Sequence, residues 1–168
     1  MYQNVFYIEK GFSVAEIATY SKFFGTVATI IGGVIGGLAS VHLGVMRSLF
    51  IGALISALSN LLFAWLALIA ADVKILAFVI TADNIASGFA GATFIVYLSA
   101  LTSIKFTATQ YALFSSAMLF LPKLIAGYAG GLVNLFGYST FFIFTAIIGV
   151  PVLLLIMWIN KTIKINKK

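Results

Sequence analysis

The chain has 168 residues, of which 62% are hydrophobic and 8% charged, with a formal net charge of +6 and no cysteine. A water-soluble domain is roughly 25% charged, so this sequence cannot clothe a water-facing surface, and a polytopic membrane protein is the class that fits. The missing cysteines exclude disulfides, zinc ribbons and thiol catalysis. The positive charge does not point to nucleic acid, because Lys161, Lys164, Lys167 and Lys168 follow directly on an apolar span.

In chain order, Met1-Tyr2-Gln3-Asn4-Val5-Phe6-Tyr7-Ile8 is apolar and aromatic but too short to cross a bilayer. It also lacks the basic start of a cleavable signal. It reads either as the outer end of a helix whose first two-thirds are absent, or as an interfacial segment anchored by Tyr2, Phe6 and Tyr7. Crossing a hydrocarbon core of about 30 Å takes roughly 20 helical residues. The first span is expected over 14–41, opened by a capping-box pattern at Ser13 and Glu16. The second is expected over 49–71, closed by Asp72-Val73-Lys74, and the third over 75–101. The fourth, over 108–133, opens on a second capping-box pattern at Thr107 and Gln110. The fifth, over 139–158, is apolar all round and is expected on the lipid-facing periphery. A basic tail, 160–168, follows. The expected fold class is an all-α membrane protein, a single bundle over 1–168 with five transmembrane helices plus the end of a sixth.

Orientation follows from the lysines and arginines near span ends. Arg47, Lys105 and the four tail lysines fall on one side. Lys10, Lys22 and Lys74 fall on the other, accompanied by Glu9, Glu16 and Asp72. The C-terminus is expected in the cytoplasm.

Two ionisable residues lie deep in the spans. Asp83 sits eight residues into the third span, about 12 Å below the outer surface, and Lys123 about 14 Å below it in the antiparallel fourth. Helical spacing puts Ser87, Phe94 and Tyr97 on the face of Asp83, with Asn84 and Gly88 adjacent. A charge at mid-membrane costs at least about 2.5–3.5 kcal/mol on insertion scales, so such residues pair or line an aqueous cavity. Asp83, Lys123, Asn84 and Tyr97 are therefore the candidates for transport or proton coupling, with Asp83 and Lys123 either pairing or facing one water-filled path. A structural ion pair, or Lys123 snorkelling along its stem, would satisfy the same pattern. Pro122 is expected to loosen the fourth helix beside Lys123.

Small residues form stripes on several spans. Gly32-x-x-x-Gly36 and Gly33-x-x-x-Gly37 overlap on the first, and Gly52, Ser56, Ser59 and Asn60 recur on the second. Gly33, Gly37, Gly88, Gly127 and Gly131 are the candidates for close helix packing. The lone histidine, His42, has no second histidine or cysteine to share a metal with. No catalytic residue, metal site or cofactor is expected, since four acidic residues leave little for acid–base chemistry.

The Phe6-Tyr7-Ile8, Gly11-Phe12-Ser13 and Glu16-Ile17 sequences, then a glycine-rich helix running into Leu43-Gly44-Val45-Met46-Arg47, resemble the start of a major-facilitator half. The acidic–basic pair usual in that basic loop is absent here. Asp83-Asn84-Ile85-Ala86-Ser87-Gly88, Ala92-Thr93-Phe94-Ile95-Val96-Tyr97-Leu98-Ser99 and Phe106-Thr107-Ala108-Thr109-Gln110-Tyr111-Ala112-Leu113 resemble the muropeptide permease (AmpG) family. The Phe106 to Ala112 run is the most specific string, and Gly127 to Tyr138 is also similar. The resemblance covers essentially the whole chain, aligned to the C-terminal half of that family. The spans would be its eighth to twelfth helices.

The resemblance implies a proton-coupled importer of anhydro-muropeptides, for peptidoglycan recycling, in the bacterial inner membrane. Its substrate lies between two six-helix halves. The implied partners are the lipid bilayer, a separately encoded N-terminal half, the muropeptide and the proton. The alternatives are a non-transporting remnant of a split or decayed permease gene, a carrier of another bulky conjugate such as an acyl-coenzyme A, and a small protein that dimerises through its glycine faces.

Overall fold

A computed structural model describes residues 2–102 and 107–162, and every regular element among them is helical. The expected basic loop with Lys105 and the tail lysines Lys164, Lys167 and Lys168 lie outside the described residues, as do the side chains of Thr107 and Pro122. The chain runs through α1 (Tyr2–Glu9), α2 (Val14–Ile17) with a π-helical continuation (Ala18–Phe24), α3 (Gly25–His42), α4 (Val45–Leu68), α5 (Val73–Leu101), α6 (Thr107–Gly127) and α7 (Ala129–Thr162).

Local chemistry sets several boundaries. Ser13 Oγ accepts from the Glu16 amide at 3.3 Å while Glu16 Oε2 accepts from the Ser13 amide at 2.9 Å, so two orphan donors at the start of α2 are satisfied reciprocally. Asp72 caps α5, its Oδ1 accepting from the Lys74 amide at 2.7 Å. Gly44, at φ +86, turns the chain between α3 and α4 in a conformation that a side chain would strain.

Among the described residues, four stretches are long and apolar enough to cross a membrane: Val14–His42, Val45–Leu68, Val73–Leu101 and Ala129–Thr162. The expected fourth span, 108–133, corresponds to α6, which has 21 residues and stops at Gly127. Helix resumes at Ala129 and leaves helical geometry at Gly137 (φ +77), which lies between the expected fourth and fifth spans, so α7 is two helical stretches joined at a kink. Glycine, the weakest helix former after proline, is frequent in this stretch (Gly127, Gly130, Gly131, Gly137), and that composition places the breaks.

Among the described residues, α3 packs most extensively on α5, α4 lies between α5 and α7, and α6 touches α5 and α7 only sparsely. Two cores result. The larger gathers Phe6 and Tyr7 of α1, Phe12, Ile17, Phe63 and Leu66 of α4, Leu76, Val79 and Ile80 of α5, and Phe142 of α7. The smaller, at the opposite end, holds Met46, Leu49 and Ile156, flanked by Phe94 and Tyr97. The α1 segment is thus built into the bundle: Phe6 is 1% exposed and its ring meets Tyr138 at 4.8 Å and Phe142 at 5.4 Å. Only 11% of the most apolar window of α7 is buried, against 28–33% in the other three, which puts α7 on the periphery.

Candidate functional site

The site grows from the close approach of α3, α4 and α5. Gly25, Gly32 and Gly36 of α3 face Asn84, Ile85 and Phe89 of α5, and Gly88 of α5 faces Thr29 and Gly33 of α3. Absent side chains let the two backbones meet, so short polar groups can bridge between them. Thr29 Oγ1 reaches Asn84 Oδ1 at 3.0 Å and the Gly25 carbonyl at 2.9 Å, and Asn84 Nδ2 donates to the Ile80 carbonyl at 2.7 Å. The π-helical stretch Ala18–Phe24 ends at Gly25, directly against the Asn84 amide. Such stretches are rare and often found at functional sites.

One residue earlier on α5, Asp83 turns to the other neighbour. Its Oδ1 accepts from Ser59 Oγ of α4 at 2.8 Å, and Ser59 is 4% exposed. The Ser59 hydroxyl also lies 2.9 Å from the Ser56 carbonyl, which in turn accepts from Asn60 Nδ2 at 3.1 Å. From α1, the buried Tyr7 phenol comes within electrostatic reach of Asp83. A half-buried carboxyl therefore sits between three helices just below the larger core, with Ser59 as a hydrogen-bond donor. A carboxyl so placed can hold or release a proton within an apolar bundle.

The structure brings Asp83 and Asn84 together, on faces turned to α4 and α3 respectively. Tyr97 belongs elsewhere. It lies fourteen residues on, about 21 Å along the helix, in a cavity of about 1010 Å³ lined by Ser56, Ser87, Phe94, Tyr97, Phe114 and Val152 among others. Lys123 is exposed on α6. A Cβ at Gly88 would press on the Thr29 carbonyl and lie 3.0 Å from the Gly33 nitrogen, whereas one at Gly33 would meet the Gly88 carbonyl oxygen at an ordinary 3.8 Å. A Cβ at Gly37, Gly127 or Gly131 would meet nothing within 4 Å among the described residues. Sequence reasoning placed Ser59 in a packing stripe and Tyr7 in an apolar end. The usable signal was the recurrence of hydroxyl and amide residues at Ser56, Ser59 and Asn60 in an otherwise apolar span.

A second polar patch lies at the rim of α1. Lys10 Nζ donates to the Ala67 carbonyl at 2.6 Å near the end of α4, and the Tyr138 hydroxyl hydrogen-bonds the Glu9 carboxylate. These residues border a cavity of about 360 Å³ with Phe6, Phe136 and Gly137.

No protein-family model matches the sequence. Curated relatives do. A Rickettsia felis protein named as a transporter, AmpG 4, is 36% identical over 160 residues, covering 95% of this chain and 39% of the relative. AmpG 1 of the same organism, also named as a transporter, is 34% identical over 157 residues, 94% of this chain and 36% of its own length. AmpG 3 of Rickettsia prowazekii is 36% identical over 126 residues, 75% of this chain and 30% of the relative. The chain spans about two fifths of the length of the curated relatives it matches most fully. With near-complete coverage of its own residues at this identity, on a bundle of membrane-length apolar helices, the chain belongs to the AmpG family, whose relatives here are named as transporters.

Proposed function

We propose that this chain is the C-terminal half of a proton-coupled AmpG-type permease, importing anhydro-muropeptides across the bacterial inner membrane for peptidoglycan recycling. Its spans supply the eighth to twelfth helices of a major-facilitator fold, α1 ends the seventh, and the C-terminus is cytoplasmic. The observation that carries the reading is Asp83, a carboxyl held by a buried hydroxyl inside an apolar bundle whose relatives are named as transporters. Asp83 is the proton-coupling residue. Asn84 ties α5 to α3 beside it, Tyr97 lines the substrate side of the large cavity, and Lys123 supplies a cationic group on α6. An N-terminal half of the same fold, matching the part of the relatives that this chain does not cover, completes the cavity wall.

The test is co-expression with a six-helix half taken from the part of a relative that this chain does not match, followed by uptake of labelled anhydro-muropeptide into membrane vesicles. Uptake that an uncoupler abolishes, and that falls at least about tenfold in Asp83→Asn (about 1.4 kcal/mol of coupling), is the expected result. Stable insertion without uptake would favour the non-transporting remnant. Uptake of an acyl-coenzyme A in place of the muropeptide would move the substrate class. Unchanged uptake and pH dependence in Asp83→Asn would remove the residue from the mechanism.

A further inference from the structure

Ser59 has one hydroxyl hydrogen and two acceptors in range, Asp83 Oδ1 at 2.8 Å and the Ser56 carbonyl at 2.9 Å. A serine that only back-bonds to its own helix needs no partner on another helix. One serving only a permanent carboxylate needs no second acceptor. Having both matters if the carboxyl changes charge. With Asp83 ionised, the hydroxyl hydrogen points across to the carboxylate, while the Ser56 carbonyl keeps the Asn60 amide at 3.1 Å. With Asp83 protonated, the acid O–H donates to Ser59 Oγ, and the hydroxyl hydrogen turns to the second lone pair of the Ser56 carbonyl. No buried polar group loses its partner in either state, which matters because an orphaned group costs about 1–3 kcal/mol.

We propose that Ser59 is the positioning residue of a proton site at Asp83, switching its hydroxyl between Asp83 and the Ser56 carbonyl as the proton arrives and leaves. The inference rests on the reading of Asp83 as the proton-coupling residue. The exchange balances: one proton enters on an Asp83 carboxylate oxygen, one hydroxyl rotates, no covalent bond to carbon changes, and release reverses both moves.

Among the described residues, the Tyr7 phenol of α1 is within electrostatic reach of Asp83. Glu9 and Lys10 are engaged at the rim with Tyr138 and the Ala67 carbonyl. On α4 the charged residue is Arg47, at the far end, and on α5 Asp72 and Lys74 stand at its start. Tyr20 and Lys22 lie on the π-helical stretch, His42 ends α3, Lys123 is exposed on α6, and Lys161 lies in the last turn of α7.

The experiment uses the whole chain in lipid nanodiscs, following the protonated-carboxyl C=O band by infrared difference spectroscopy across a pH titration. The Asp83 band is identified by its loss in Asp83→Asn. Ser59→Ala removes the donor to the charged form and is expected to move the band's midpoint up by about one pH unit, tenfold in proton affinity. It also shifts the band to higher wavenumber, because the acid has lost its acceptor. Ser59→Thr keeps a hydroxyl and is expected to hold both near wild type. Ser59→Val, its isostere, repeats the alanine result without leaving a cavity. Unchanged midpoint and band in both Ala and Val variants would overturn the proposal and leave Ser59 as a helix back-bonder. A midpoint that falls as sodium is added would also overturn it, assigning the three oxygens to a cation. A wild-type chain with no titrating Asp83 band would overturn the proton-site reading itself, a result distinct from an unresponsive Ser59.

Discussion

The approach of α3 to α5 makes a quantitative prediction from one amino-acid change at two neighbouring positions. A Cβ at Gly36 would lie 2.6 Å from the Phe89 carbonyl oxygen and 2.9 Å from the Phe89 Cα, and one at Gly32 would overlap the Ile85 carbonyl more severely. Carbon–oxygen contacts between packed helices settle at about 3.3–3.6 Å. Alanine at Gly36 therefore needs the helices to part by about 0.7 Å, and alanine at Gly32 by more. Overpacking of that kind costs about 1–3 kcal/mol. Parting the helices also stretches the 3.0 Å bridge from Thr29 to Asn84, worth about 0.6 kcal/mol on average for a hydrogen bond between membrane helices. Against this stands the better helix propensity of alanine, up to about 1 kcal/mol. Gly32→Ala should thus destabilise by about 2 kcal/mol net. Gly37→Ala, with nothing within 4 Å of the added methyl, should be neutral or stabilising by up to about 1 kcal/mol. Denaturant unfolding of the purified chain in mixed micelles reads both. Midpoints for the two variants within about 0.5 kcal/mol of each other would refute the close approach of α3 and α5.

Two further predictions concern the ends of the bundle. Phe6→Ala empties a site enclosed by Tyr7, Tyr138 and Phe142 and should cost about 3–5 kcal/mol, read as a lower unfolding midpoint with earlier hydrogen exchange in α1. Gly137→Ala meets no steric neighbour but forces a side chain into the left-handed region at φ +77. It should cost about 1–2 kcal/mol, while Gly131→Ala, in open space at an ordinary φ, should not.

Much of the fold was legible in the sequence because the bilayer leaves few solutions. A run of some twenty residues without charge can satisfy its backbone in hydrocarbon only as a helix. The reciprocal cap at Ser13 and Glu16 was equally local, since both partners lie within one turn. The fourth and fifth spans were less legible. Glycine tolerates both helix and break, and composition alone does not fix whether the chain turns at Gly127 or Gly137.

Composition, charge placement and local caps thus settled by themselves that the chain is a bundle of membrane-length helices with a carboxyl deep in one of them. What that carboxyl touches was a tertiary matter. The sequence expects similar depths for Asp83 and Lys123, a property of each helix alone, but their rotation about the helix axes decides whether they meet. The packing of α4 against α5 puts Ser59 on Asp83, while Lys123 is exposed on α6. The glycine motif shows the same division. Gly32/Gly36 and Gly33/Gly37 differ by one residue, and the packed rotation of α3 presses Gly32 and Gly36 onto the α5 backbone while leaving a Cβ at Gly37 in open space. A helical sequence fixes which residues share a face; contact with a neighbouring helix decides which face is buried.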